Sequence, residues 1–218
     1  MSKNIYITAI EPHSGKSAVT MGVMEFLIRN IDKVAFFRPI INTESKTKDQ
    51  DDVINLISTY YNIKTPYNKM FAYTFEEAKS FVARGHHEEL LEGILDKYKT
   101  LESKHDFVLC LGTDFDGDSS AFEFDLNAEI ANNLGCPVLM VANAYQHDVD
   151  EIAKSCQFAL ESFEDKGCNV LSLILNRTSV EIQEDLVEQL KKHLKDKVDL
   201  IYSIPNEESL DCLSLIHI

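Results

Sequence analysis

Positive charge is scarce in this 218-residue sequence: 21 Lys and Arg stand against 36 Asp and Glu, a formal net charge of −15. A nucleic-acid binder needs a basic footprint to neutralise phosphates, and the overall balance argues against one. The same deficit disfavours adsorption to an anionic membrane. No stretch approaches the ~20 apolar residues of a membrane span. The apolar run after Met1–Asn4 ends at Glu11, too short for a signal-peptide core. The five cysteines, Cys110, Cys136, Cys156, Cys168 and Cys212, are odd in number, include no C-x-x-C and match no zinc spacing. They read as reduced core thiols of a soluble cytoplasmic protein. There is no internal repeat and no low-complexity linker. What is present is ordinary globular usage, 44% hydrophobic and 26% charged, which excludes wholesale disorder and fibres. If such an acidic chain binds an anion, a local device must overcome the repulsive field.

Short apolar runs alternate with longer amphipathic stretches. Ile5 to Ala9, Val34 to Phe37, Phe107 to Leu111, Val138 to Ala142, Val170 to Leu175 and Leu200 to Ile204 predict strands buried on both faces. Lys16 to Asn30, with Val19, Val23, Phe26 and Leu27 on one stripe, predicts a helix. So do Asp51 to Tyr60, His86 to Leu101, Leu126 to Leu134, Val149 to Phe163 and Val180 to Leu194. The alternation implies a mostly parallel sheet with helices on both faces, a three-layer α/β/α class. Thr43 to Asp52 and Asp114 to Asp125 read as exposed polar loops.

Between the first strand and first helix lies Thr8-Ala9-Ile10-Glu11-Pro12-His13-Ser14-Gly15-Lys16-Ser17. Backbone N–H groups of a tight loop and the positive end of a helix surround a phosphate there. Ser14 and Gly15 would present the loop, Lys16 would place a charge on the terminal phosphates, and the Ser17 hydroxyl would ligate Mg²⁺. The pattern G-x-x-x-x-G-K-[ST] departs at Ile10, where its first glycine belongs, and Pro12 removes one donor. Partition-type ATPases carry a signature lysine four residues before the glycine; Glu11 stands there. His13 either contacts a ligand or faces solvent.

Ile5-Tyr6-Ile7 through Ser17, then Val34-Ala35-Phe36-Phe37-Arg38-Pro39-Ile40, resembles the N-terminal domain of long-form bacterial phosphate acetyltransferase. Phe107-Val108-Leu109-Cys110 with Gly112-Thr113-Asp114-Phe115, and Leu126-Asn127-Ala128-Glu129-Ile130-Ala131 with Pro137-Val138-Leu139, extend the likeness. It runs from about Asn4 to about Leu210. That domain is similar to dethiobiotin synthetase, so the resemblance implies a P-loop NTPase-like fold. The full enzyme interconverts acetyl-CoA plus phosphate with acetyl phosphate plus CoA, in a separate C-terminal domain. The resemblance implies a regulatory module, without catalytic residues of its own, that answers to a nucleotide (ATP or another, with Mg) or a metabolite effector. It also implies a homo-oligomer for the full-length enzyme.

Residue by residue, Arg38 matches an active-site lysine of the synthetase and keeps its charge; the alternative is a surface ion pair. Asp51 or Asp52 matches a metal-side aspartate. Asn176 matches an asparagine that reads adenine; the alternative is a turn-forming Asn. Leu111 stands where the synthetase carries a Mg²⁺-binding glutamate, so sensing or a degenerate site is expected rather than efficient hydrolysis. A stand-alone ATP-dependent ligase of the synthetase type, or an interaction domain with a vestigial loop, are the competing readings.

Asp114, Asp116 and Asp118 have calcium-loop spacing, but Ser119 replaces the glycine and a strand precedes, so a solvated acidic loop is expected. His86-His87 reads as an exposed helix cap. Residues 1–212 form the expected domain. Leu213-Ser214-Leu215-Ile216-His217-Ile218 reads as a non-native tail, with the catalytic acetyltransferase domain absent from this chain.

Overall fold

The computed structural model describes residues 3–42, 50–113, 120–194, 197–198 and 200–207. Residues 114–119 of the loop expected at Asp114 to Asp125, and the tail at 213–218, lie outside them, while residues 120–125 are helical rather than loop. The described residues include seven strands: β1 (Asn4–Ala9), β2 (Val34–Ile41), β3 (Phe71–Thr74), β4 (Phe107–Leu111), β5 (Val138–Asn143), β6 (Val170–Thr178) and β7 (Leu200–Pro205). Seven helices join them: α1 (Lys16–Asn30), α2 (Asp52–Tyr60), α3 (Phe75–Ala83), α4 (His87–Glu102), α5 (Ser120–Asn133), α6 (Val149–Asp165) and α7 (Gln183–Leu194). Every pairing is parallel, and the sheet order is β3-β2-β4-β1-β5-β6-β7. All strands therefore end at one edge of the sheet, and β1 lies between β4 and β5.

The sheet divides the core in two. On one face α3 to α7 pack on Phe37, Cys110, Met140 and Leu173; on the other α1 and α2 pack on Phe36, Leu109, Val141 and Ile174. This is the three-layer α/β/α fold the alternation implies. Its central strands are apolar on both faces because helices cover both.

The structure adds β3 and α3 to the expected elements. β3 is only four residues long and half-buried throughout, so it lacks the apolar run of its neighbours. α3 follows at once, and its start is fixed by a capping box between Thr74 and Glu77. The stripe of α1 is also corrected. Lys16, Val19, Thr20, Met24 and Leu27 face inward, while Phe26 is 66% exposed. A 3.6-residue period running through Met24 turns Phe26 outward. Thr20 enters the core because its hydroxyl donates to the Lys16 carbonyl at 2.8 Å.

Cys110, Cys136, Cys156 and Cys168 are buried and free. Burial pushes the Cys156 thiol up to about 12 and the Cys168 thiol to about 11. Cys212 lies outside the described residues.

Candidate functional site

At the strand-end edge the chain leaves β1, turns through Ile10–Gly15 and enters α1. The turn is held from its β5–β6 side. Ile10 N–H donates to Val141 O at 3.0 Å. Glu11 Oε1 accepts from Asn143 N–H at 2.7 Å, and Asn176 Nδ2 donates to Ser14 O at 2.8 Å. Gly15 has φ 76°, and a Cβ on it would lie 2.2 Å from Asn176 Nδ2. Both facts require glycine. His13 also has a positive φ, 58°, and its side chain is exposed.

Gly15 starts α1 with no side chain to cap its first turn. α1 also has no carboxylate in that turn. Each of the other six helices has at least one: Asp52, Glu76, Glu88, Glu123, Asp150 and Glu184 are examples. Those carboxylates satisfy the positive helix ends locally. A helix end without such a carboxylate is a general anion-binding position.

Lys16 is 4% exposed. Its Nζ donates to Gly112 O and Thr113 O, each at 2.6 Å, joining the loop to the end of β4. That carbonyl pair is fixed from behind. Asn127 Oδ1, on α5, accepts from Thr113 N–H at 2.9 Å and from the Tyr6 hydroxyl at 2.8 Å. A Cβ on Gly112 would lie 2.5 Å from Asn127 Oδ1, so β4 exits through a glycine. Tyr6 is fully buried, and burial drives its hydroxyl well above its ordinary range, keeping it a donor.

Ser17 is half-buried in the first turn of α1. Arg38, on β2, is not a surface residue. Its Nη1 meets Asp51 Oδ2 at 2.6 Å, with both side chains 3% exposed. Asp51 caps α2 by accepting from Ile54 N–H at 2.9 Å, and its own N–H donates to the Tyr67 hydroxyl at 2.7 Å. The carboxylate expected on the metal side is thus engaged by a guanidinium and a helix cap. Leu111 is fully buried in the apolar cluster beneath α1. Among the described residues no group of three or more His, Cys, Asp or Glu is arranged to hold a metal.

Ser14, Gly15, Lys16 and Asn176 therefore form one assembly. Ser17 continues it, and Arg38 with Asp51 forms a second unit two strands away along the sheet. Asn176 braces the loop through its side chain and takes Ala144 N–H on its carbonyl at 2.8 Å. Beside it, Arg177 has φ 62° and stacks on Tyr145, 4.4 Å from the ring centroid. Sequence reasoning missed the bracing by Glu11, Asn127 and Tyr67. Asn127 was the detectable one, since an amide inside an otherwise apolar helix stripe must find partners. His86 caps α4 beside Glu89, as expected, while His87 reaches Glu129 on α5 at 2.6 Å.

Over residues 3–212 the chain matches the family AAA_26, an AAA domain. It is 45% identical over 96% of its length to phosphate acetyltransferase of Nitratidesulfovibrio vulgaris, and 33% identical over 99% to that of Synechocystis. It spans only 30% and 31% of those relatives. It is 21% identical to the ATP-dependent dethiobiotin synthetase of Clostridium perfringens, covering 97% of this chain and 94% of that one. Among solved structures it resembles the MinD cell division protein of Aquifex aeolicus, with TM-score 0.58, 18% identity and coverage of 98% and 86%. It also resembles a plasmid partition protein of Borrelia burgdorferi bound to AMPPNP, with TM-score 0.60, 16% identity and coverage of 97% and 88%. At these identities the two structures share the fold.

Proposed function

Because this chain belongs to the AAA_26 family of AAA domains, we propose that it is the nucleotide-responsive, regulatory P-loop domain of a phosphate acetyltransferase. The observation that carries this reading is the 45% identity spread over nearly the whole chain but only 30% of the relative. A match to nearly the whole chain but under a third of the relative supports a module of a longer enzyme whose acyl-transfer chemistry lies elsewhere. The reading places the protein in the cytoplasm, where acetyl-CoA is handled, as part of a homo-oligomer. No described helix is long and apolar enough to cross a membrane.

ATP or a related nucleotide is the effector this site suits. The uncapped N-terminus of α1 would receive the phosphates, with Ser14 and Gly15 lining the turn and Lys16 supplying charge. Mg²⁺, if carried in with the nucleotide, would rest on Ser17, since Asp51 is held by Arg38. Asn176 borders the turn and is the residue placed to meet a base. Hydrolysis needs carboxylates to position the cation, and Leu111 offers none, so a bound nucleotide acts as a signal rather than a substrate.

Calorimetry with ATP and ADP in the presence of Mg²⁺ tests this. Binding is expected, weakened at least about tenfold by Lys16→Ala through loss of charge-assisted contacts. In the full-length enzyme the same nucleotide should change the rate of acetyl phosphate formation. No binding by the wild-type chain would leave an interaction domain with a vestigial loop. One observation favours a second reading, since the chain spans 94% of a dethiobiotin synthetase. Leu111 and the Arg38 replacement count against it; ATP hydrolysis stimulated by a diamino acid would restore it.

A further inference from the structure

The opposite edge of the sheet, where β2 and β4 begin, holds a cleft of about 640 Å³ that the proposed regulatory reading does not use. Its volume falls within the range of about 300–1,000 Å³ common to small-molecule sites. Four lysines line it: Lys33, Lys64, Lys69 and Lys104. In a chain with a net charge of −15, that places four of 21 cations around one opening.

Among the described residues these lysines form no ion pairs. Elsewhere Lys99, Lys166, Lys192 and Lys197 each meet a carboxylate within 3.0 Å. Among the described residues no carboxylate pairs with Lys33, Lys69 or Lys104, and Lys64 donates only to the Asn62 amide oxygen at 2.6 Å. The C-terminal ends of α1, α2 and α4 converge here, each with about half a negative charge. Together with Asp32 they leave the cleft positive by between one and two charges. Apolar and aromatic residues share the lining with the lysines, among them Val34, Tyr61, Ile63 and Leu101.

The backbone that carries these groups is pinned. Lys33 O accepts from Asp106 N–H at 2.8 Å and from Phe107 N–H at 3.2 Å, Lys69 N–H donates to Pro66 O at 2.9 Å, and Lys104 N–H to Leu101 O at 3.0 Å. His105 Nδ1 lies 2.9 Å from the Leu101 carbonyl, which fixes the ring at the cleft rim. A cleft lined by apolar residues and by lysines that keep a net positive charge suits a ligand of matching design.

We propose that this cleft is a second ligand site. It takes a small organic anion bearing at least two negative charges on an apolar or planar body. The body packs on Tyr61 and Ile63, and the lysines receive the charges. The site lies across the sheet from the phosphate loop and does not depend on nucleotide binding there.

Phenyl phosphate, which has both features, is the probe. Titrated into the ¹⁵N-labelled 218-residue chain, it should shift the amides of residues 61–69 and 100–106 saturably. Inorganic phosphate should shift them less, because it lacks the apolar body. The double variant Lys69→Glu/Lys104→Glu should weaken that saturation at least about tenfold, through loss of two charge-assisted contacts. Lys69→Gln/Lys104→Gln, with no charge reversal, should weaken it less and provides the control for folding. Shifts confined to residues 13–17, shifts that never saturate, or affinity unchanged in both variants would overturn the proposal. Failure of ATP to bind would leave it standing.

Discussion

Gly15 has no room for a side chain. Its φ of 76° and the Asn176 amide 2.2 Å from where a Cβ would sit act together. Gly15→Ala is therefore expected to destabilise the chain by about 1–3 kcal/mol, read as a lowered midpoint in urea, and to displace Asn176 from Ser14. The Arg38–Asp51 pair sets a different problem. Both charges are out of water, so losing Arg38 leaves the Asp51 carboxylate buried without this cation. Arg38→Met should cost about 3–5 kcal/mol. Adding Asp51→Ser, which removes the stranded charge but keeps a capping hydroxyl for α2, should recover most of that loss. A double-mutant cycle by urea unfolding measures the coupling; simple additivity would contradict a buried pair. Arg38 was read from the sequence as a match to an active-site lysine, with a surface ion pair as the alternative; the structure places it in a buried pair two strands from the loop. The pairing was not legible in the sequence, because Asp51 is 13 residues away on another element and only the fold brings them together.

At the scale of elements, ordinary amphipathic periods exposed six strands and six helices. They failed at β3 and α3, where a short edge strand and a capped helix lean on neighbours rather than on their own pattern. The end of α4 supplies a pH-dependent test. The Lys99 ammonium holds the Glu102 carboxyl below its usual range, with help from the Tyr98 hydroxyl and against the effect of burial. A carboxyl whose folded value is depressed stabilises the fold above its unfolded value and loses that contribution as pH falls through the folded one. Glu102→Gln should thus cost less than about 1 kcal/mol at pH 7. The difference from wild type should close below about pH 4. Paired urea titrations at pH 7 and pH 3 check the sign. A gap that widens in acid would refute it.

For the whole molecule, charge is the governing fact. With 36 acidic against 21 basic residues, self-repulsion opposes the compact state. Raising sodium chloride from about 0.05 M to 0.5 M shortens the Debye length from over 10 Å to under 5 Å and should raise the melting temperature. A fall would mean that surface ion pairs outweigh the net repulsion. The same excess of carboxylates explains how the helices differ. Among the described helices six carry an acidic first turn and α1 does not. Its N-terminus has no first-turn carboxylate to oppose an incoming phosphate.

The sequence by itself determined the β-α alternation, the parallel sheet and the place of the phosphate loop, because each follows from local period and from residues adjacent in the chain. It also carried the likeness to phosphate acetyltransferase, since 45% identity is itself a property of the sequence. Only the tertiary structure decided what holds the loop. Glu11 to Asn143, Ser14 to Asn176, Lys16 to Gly112 and Thr113, and Asn127 behind them are contacts between residues far apart in the chain. Hydrogen bonds of that kind have no period and leave no local trace. The basic cleft is hidden for the same reason. Its lysines come from three separate connections that become neighbours only when α1, α2 and α4 end at the same edge of the sheet.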